Sequence, residues 1–127
     1  MMRKTYRAKN VTASGPYSHA VEADNFLFLS GQTAMNAETV ENLQGNIAEQ
    51  TKQCFTNLSE VLEAANLTFD NVVKVNVYLT DMNNFSAMNE VYKTYFQEPY
   101  PARTCVAVLA LPLGAEVEIE MVAKRNV

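Results

Sequence analysis

The chain has 127 residues, enough for one domain with a sizeable core, and its 48% hydrophobic and 19% charged residues give the balance of an ordered globular protein. Ten basic against 14 acidic residues leave a net charge of −4, which lacks the basic footprint that a nucleic-acid partner requires. No apolar run follows the charges of "MMRKTYRAKN", and the longest apolar stretch, "VAVLALPLGA", is short and holds Pro112, so neither signal peptide nor membrane span is expected and a soluble, cytoplasmic protein is.

Along the chain, Gly15-Pro16 in "VTASGPYSHAV" marks a turn that delivers Tyr17. "FLFLSG" (Phe26–Gly31) is a short apolar run ending in Ser-Gly, which is how a buried strand stops at a turn. Residues 35–45 are polar and read as loop. From Asn46 the period becomes helical, with Ile47, Cys54, Phe55, Leu58, Val61, Leu62 and Ala65 on one face. Asn46 followed by Glu49 resembles a capping box, and Asn66 can close the helix in a left-handed conformation. "VVKVNVYLT" (Val72–Thr80) alternates β-branched with polar residues and predicts a strand with Lys74 and Asn76 on its far face. "DMNNFSAMNEVYKTYF" predicts a second helix with Phe85, Met88, Tyr92, Tyr95 and Phe96 on its apolar side; two prolines in "QEPYPA" break it before two C-terminal strands.

This order, with no linker and no repeat, is a single α+β domain spanning residues 1–127, two helices packed on one face of a sheet. Nothing in so short a chain remains to cover the other face, so association through the sheet is expected. Cys54 and Cys105 lack CxxC spacing and read as reduced thiols. His19 is the one histidine, no metal-ligand spacing occurs, and no glycine-rich nucleotide loop is present, so neither metal nor cofactor is expected.

Charges inside the C-terminal strands stand out, because a charge in a core is costly unless it is paired. If the last two strands formed a hairpin about Pro112-Leu113, Glu118 would face Ala107 and Arg103 would lie ~13 Å away, too far for an ion pair. Arg103 is then either a strand-end arginine reaching solvent or a planar fork for a ligand carboxylate. Glu118 and Glu120 share one strand face; they are either a solvated edge or, if one faces a closed pocket, a carboxyl whose proton affinity desolvation raises. Cys105 shares Arg103's face and reads as a small buried hydrophobe. Ser30-Gly31-Gln32 is a strand terminus or a hydroxyl and backbone N–H aimed at an anion. Asn89 bonds a loop or a ligand, and His19 lacks the partners of a catalytic triad.

Taken together, "GPYSHAV", "FLFLSGQ", "EQTKQCFTNLSEVLEAAN", "VVKVNVYLTDMNNFSAMNEVY", "YPARTCV" and "LPLGAEVEIEMVA" resemble, in that order and from Gly15 to Ala123, the RidA/YjgF family of enamine/imine deaminases. The resemblance implies a chorismate-mutase-like mixed sheet with two helices on one face, assembled as a homotrimer whose sheets meet at the centre. It places the Val72–Thr80 strand between the last two, against the hairpin, and sets the sites between subunits. It implies that Arg103 grips a substrate carboxylate and that Glu118 positions a water or moves a proton. Tyr17, Ser30, Gly31, Asn89 and Cys105 line the pocket, Gly31 and Cys105 mainly through backbone groups. The implied reaction is hydrolysis of 2-imino acids and their enamine tautomers, such as 2-aminoacrylate, to 2-keto acids and ammonia. A non-catalytic sensor of small carboxylates is the alternative, and an endoribonuclease or translation inhibitor a third reading. This chain departs from the family pattern at His19, where glutamine is usual, and at Asn66, where glycine is common.

Overall fold

Alternation of apolar and polar residues at period two carries the fold of this chain, a computed structural model of which describes residues 2–13, 15–36, 41–42 and 45–126. The strands are β1 (Lys4–Tyr6), β2 (Ala20–Ala23), β3 (Phe26–Gln32), β4 (Met35–Asn36), β5 (Glu41–Asn42), β6 (Val72–Leu79), β7 (Ala102–Ala107) and β8 (Val117–Lys124). The helices are α1 (Ile47–Ala64) and α2 (Phe85–Tyr92). Six strands make a mixed sheet in the order β1-β2-β3-β8-β6-β7, antiparallel throughout except for the parallel pair β6–β7. A parallel pair needs a crossover, and α2 supplies it.

The hairpin expected of the last two strands does not form. β8 pairs with β6 on one side and β7 pairs with β6 on the other, so Leu79, not Glu118, faces Ala107. The arrangement implied by the family resemblance is the one observed. The apolar content of β6 explains it: Val72, Val75, Val77 and Leu79 are buried, as befits a strand flanked on both edges rather than one at the rim. The stretch 35–45, read as loop, carries β4 paired with β5; residues 37–40 and 43–44 lie outside the described residues. The second helix is shorter than the run 81–96. Asp81 accepts from the Asn83 N–H at 2.9 Å and opens a 3-10 turn over Met82–Asn84, the local alternative that Asp and Asn offer a backbone.

α1 begins and ends as its sequence requires. The Asn46 side chain accepts from the Glu49 N–H at 2.9 Å, a cap worth about 1 kcal/mol, and Asn66 closes the helix at φ 60°. Its buried stripe of Cys54, Phe55, Leu58, Val61 and Leu62 packs on Leu27, Val75, Val77, Ile119 and Met121 from the sheet. Both cysteines are free thiols. Arg125, just past β8, ties the far end together: it donates to Glu22 at 3.0 Å, to the Tyr6 hydroxyl at 3.0 Å and to the Ala65 carbonyl at 2.9 Å. The opposite sheet face carries Lys74, Asn76, Tyr78, Glu118 and Glu120, with Phe28 and Val106 exposed among them. No helix among the described residues is long and apolar enough to cross a membrane.

Candidate active site

On β8 the burial alternates strictly, with Val117, Ile119 and Met121 beneath the helices and Glu118 and Glu120 on the open face. Neither carboxylate is the solvated edge that alternation alone allows, for both are half-buried. Glu120 accepts from the Tyr78 hydroxyl at 2.5 Å and from Asn76 at 3.1 Å, so it is held as an acceptor. The Tyr78 hydroxyl is pushed up to about 12 by that bond and by burial. Glu118 is governed instead by its surroundings. Burial, then the neighbouring Glu120 charge, raises its pKa above the ordinary carboxylate value. Of the two carboxyls, Glu118 is thus the one whose surroundings favour holding a proton.

Glu118 lies across Gly31. A Cβ added at Gly31 would stand 2.8 Å from Oε2 and 3.0 Å from Cδ of Glu118, closer than real contacts allow. This glycine sits where the β3–β8 register slips, between Leu29 and Gln32. The absent side chain, rather than any unusual backbone angle, is what the position provides. Ser30 is not an anion donor as one reading had it: its N–H donates to the His19 carbonyl at 2.9 Å and its hydroxyl to the Ser18 carbonyl at 2.6 Å. Those bonds fasten the turn that carries Tyr17. His19 is wholly buried behind it and accepts from the Ala8 N–H at 3.0 Å through Nδ1, while burial lowers its proton affinity. It is a packed, neutral core histidine. Tyr17, Ser30, Gly31 and Glu118 line one cavity of about 370 Å³ with Glu120 and Pro112.

Arg103 is elsewhere. It pairs with Val75 across β6–β7 and so shares the helix-facing side, whereas Glu118 pairs with Tyr78 on the open side. Three residues along β6 and two strand spacings separate their backbones by roughly 14 Å. Arg103 Nη1 donates to Asn89 Oδ1 at 2.7 Å, and both residues line a second cavity of about 520 Å³ with Tyr92, Lys93, Tyr100 and Pro101. Using one terminal nitrogen on Asn89 leaves the guanidinium's other donors for a ligand. Cys105, two residues on, packs partly against the core and lines neither cavity; burial raises its thiol, against a smaller opposing pull from Arg103.

One chain thus brings Tyr17, Ser30, Gly31 and Glu118 together, and Asn89 and Arg103 together, but not the two groups. Sequence reasoning missed Glu120's bonds to Asn76 and Tyr78, which depend on a strand pairing no local pattern reveals. It also missed Tyr92 as a neighbour of Arg103, although the spacing Phe85, Asn89, Tyr92 marks one helical stripe. Among the described residues no three His, Cys, Asp or Glu side chains gather as a metal site would need.

A six-stranded mixed sheet with two helices on one face defines an α+β protein. The sequence profile of the family described as Endoribonuclease L-PSP matches residues 7–125, and this chain belongs to that family, the RidA/YjgF family of the resemblance. It is 48% identical over 116 residues to the 2-iminobutanoate/2-iminopropanoate deaminase of Capra hircus, covering 91% of this chain and 85% of the relative. Its fold matches the crystal structure of YEO7_yeast with a TM-score of 0.93 at 40% identity, covering 98% of this chain and 100% of that one. It also matches RidA from an Antarctic Psychrobacter with a TM-score of 0.90 at 42% identity, covering 96% and 99%.

Proposed function

We propose that this chain hydrolyses 2-imino acids and their enamine tautomers to 2-keto acids and ammonia. The single observation that carries the reading is Glu118: a half-buried carboxyl of raised proton affinity, laid across a side-chain-free Gly31 in a chain 48% identical to an iminobutanoate/iminopropanoate deaminase. A protonated imine is already electrophilic, so little beyond orientation and one proton shuttle is needed; well-placed acid–base catalysis alone contributes ~10²–10⁴.

Arg103, steadied by Asn89, grips the substrate carboxylate. Glu118 takes a proton from the attacking water as its oxygen bonds to the imine carbon. The same carboxyl then delivers that proton to the nitrogen of the carbinolamine and, ionised again, takes up the hydroxyl proton as the C–N bond breaks, so that ammonia leaves and the keto group forms. Because Arg103 and Glu118 lie on opposite faces of one sheet, the working site combines Arg103 and Asn89 of one chain with Tyr17, Gly31 and Glu118 of a neighbour. A trimer closed through the open sheet face would repeat that junction at each interface and cover Phe28 and Val106. A phosphodiester substrate fits less well, since Glu118 and Glu120 would repel it and the net charge of −4 offers no compensating field.

The test supplies the imine in place, from a threonine or serine dehydratase, and follows keto-acid formation against the spontaneous rate. Acceleration by the wild type and none by Glu118→Ala is expected. A wild type that binds keto acids without accelerating imine decay is a sensor, and the hydrolase reading is then wrong.

A further inference from the structure

We propose that Phe85 and Tyr92 are positioning residues that stack on the Arg103 guanidinium and fix the orientation in which it meets a carboxylate. This rests on the reading of Arg103 as the substrate clamp.

Arg103 is exposed and comes from β7, the edge strand of the sheet, and its head rests against α2. Its guanidinium carbon lies 4.6 Å from the ring centroid of Tyr92 and 5.5 Å from that of Phe85, both within cation–π range. Its Nη1 bonds Asn89 between them. Phe85, Asn89 and Tyr92 stand at i, i+4 and i+7 on α2, so one helical stripe supplies two aromatic faces and an acceptor. Tyr92 is itself packed into the core. It is 6% exposed and wedged against Phe55 at 6.0 Å and Phe96 at 4.9 Å between ring centroids. A planar cation laid on a fixed ring, with its edge held by an amide oxygen, keeps little rotational freedom. Freedom already lost is not lost again on binding, so pre-setting the fork improves affinity for a planar anion.

The Tyr92 hydroxyl, buried and without a hydrogen-bond partner among the described residues, adds nothing visible to this arrangement. The ring is what Arg103 uses. Phenylalanine should therefore replace tyrosine at 92, and leucine should not.

The experiment measures kcat and KM separately on a 2-imino acid generated in situ by an amino-acid oxidase, for wild type, Tyr92→Phe, Tyr92→Leu, Phe85→Leu and Arg103→Ala. Alongside it, the NMR resonance of the Arg103 Nε–H, which a stacked ring shifts, is recorded in each variant that keeps the arginine. For Tyr92→Leu, KM should rise about 3- to 30-fold with kcat within about twofold of wild type, and the arginine resonance should move. Tyr92→Phe should restore both, and Phe85→Leu should raise KM by about 2- to 3-fold with a smaller movement of the resonance. If Tyr92→Leu does not fold, Phe85→Leu carries the test with the same two readouts. An unmoved resonance, an unchanged KM in a folded Tyr92→Leu, or Tyr92→Phe as impaired as Tyr92→Leu would each overturn the stacking role. An Arg103→Ala protein of normal KM would instead remove the clamp reading itself, whatever the resonance shows.

Discussion

Gly31→Ala isolates the placement of Glu118 from the stability of the fold. The added methyl would sit 2.8 Å from Oε2 and 3.2 Å from Cγ of Glu118, while ordinary carbon contacts begin near 3.4–4 Å, so the carboxylate must retreat by about 0.5–1 Å. Displacements of that size at a reacting group cost up to about 10²-fold in rate, and kcat should fall roughly 10- to 100-fold. The backbone at 31 does not occupy the left-handed region, so alanine is sterically allowed there and narrows the unfolded ensemble slightly. The melting temperature should therefore hold or rise while turnover drops. Stopped assays of keto-acid release and calorimetric melting measure the two quantities on the same sample. On a Glu118→Gln background the alanine should cost nothing further, because the displaced group is already inert. Full activity of a folded Gly31→Ala protein, or an equal loss on the Glu118→Gln background, would refute the argument that this glycine exists to seat that carboxylate.

Arg103→Ala removes two charge-assisted hydrogen bonds to a substrate carboxylate, about 3–4 kcal/mol, and kcat/KM should fall roughly 100- to 1000-fold, while the lost contacts with Asn89 and Tyr92 lower melting by only a few degrees. Glu118→Gln should make the protein more stable at pH 7. A carboxyl whose folded pKa is raised binds more protons folded than unfolded, so stability declines as pH climbs from the ordinary value of 4.5 through the raised one. The gain over wild type should vanish near pH 4, and pH-resolved melting shows it; a gain that persists there would point to packing instead. Asn66→Ala, at φ 60°, should lose about 1 kcal/mol and 3–5 °C of melting temperature, whereas Asn66→Gly should lose nothing.

The legible parts of this chain are those set by near neighbours in sequence. Asn46 and Asn66 mark the ends of α1 because capping is local, and the alternation around Glu118 names its face because strand geometry is local. Pairing is not. Nothing in "YPARTCV" or "VEIE" says that β6 slips between them, and the hairpin a two-strand reading suggests puts Glu118 opposite Ala107. The family resemblance supplied that pairing where pattern could not. The same limit explains Ser30, whose donors are consumed by carbonyls of a turn read from a different segment, and Glu120, whose partners sit 42 and 44 residues upstream. Arg103 and Glu118 were both visible as charges out of place. That they point to opposite sides of one sheet required the register of three strands, and the proposed site needs a neighbour's surface to bring them together.

Mixing of two inactive proteins tests that requirement most directly. Arg103→Ala and Glu118→Ala chains, differently tagged, are unfolded together, refolded, and the doubly tagged oligomer isolated. In a cyclic trimer holding both, one junction of three pairs an intact Arg103 with a neighbour's intact Glu118, so activity should return to about one third of the wild-type value per trimer. Mixed oligomers as inactive as either parent would show that the two residues do not meet across chains.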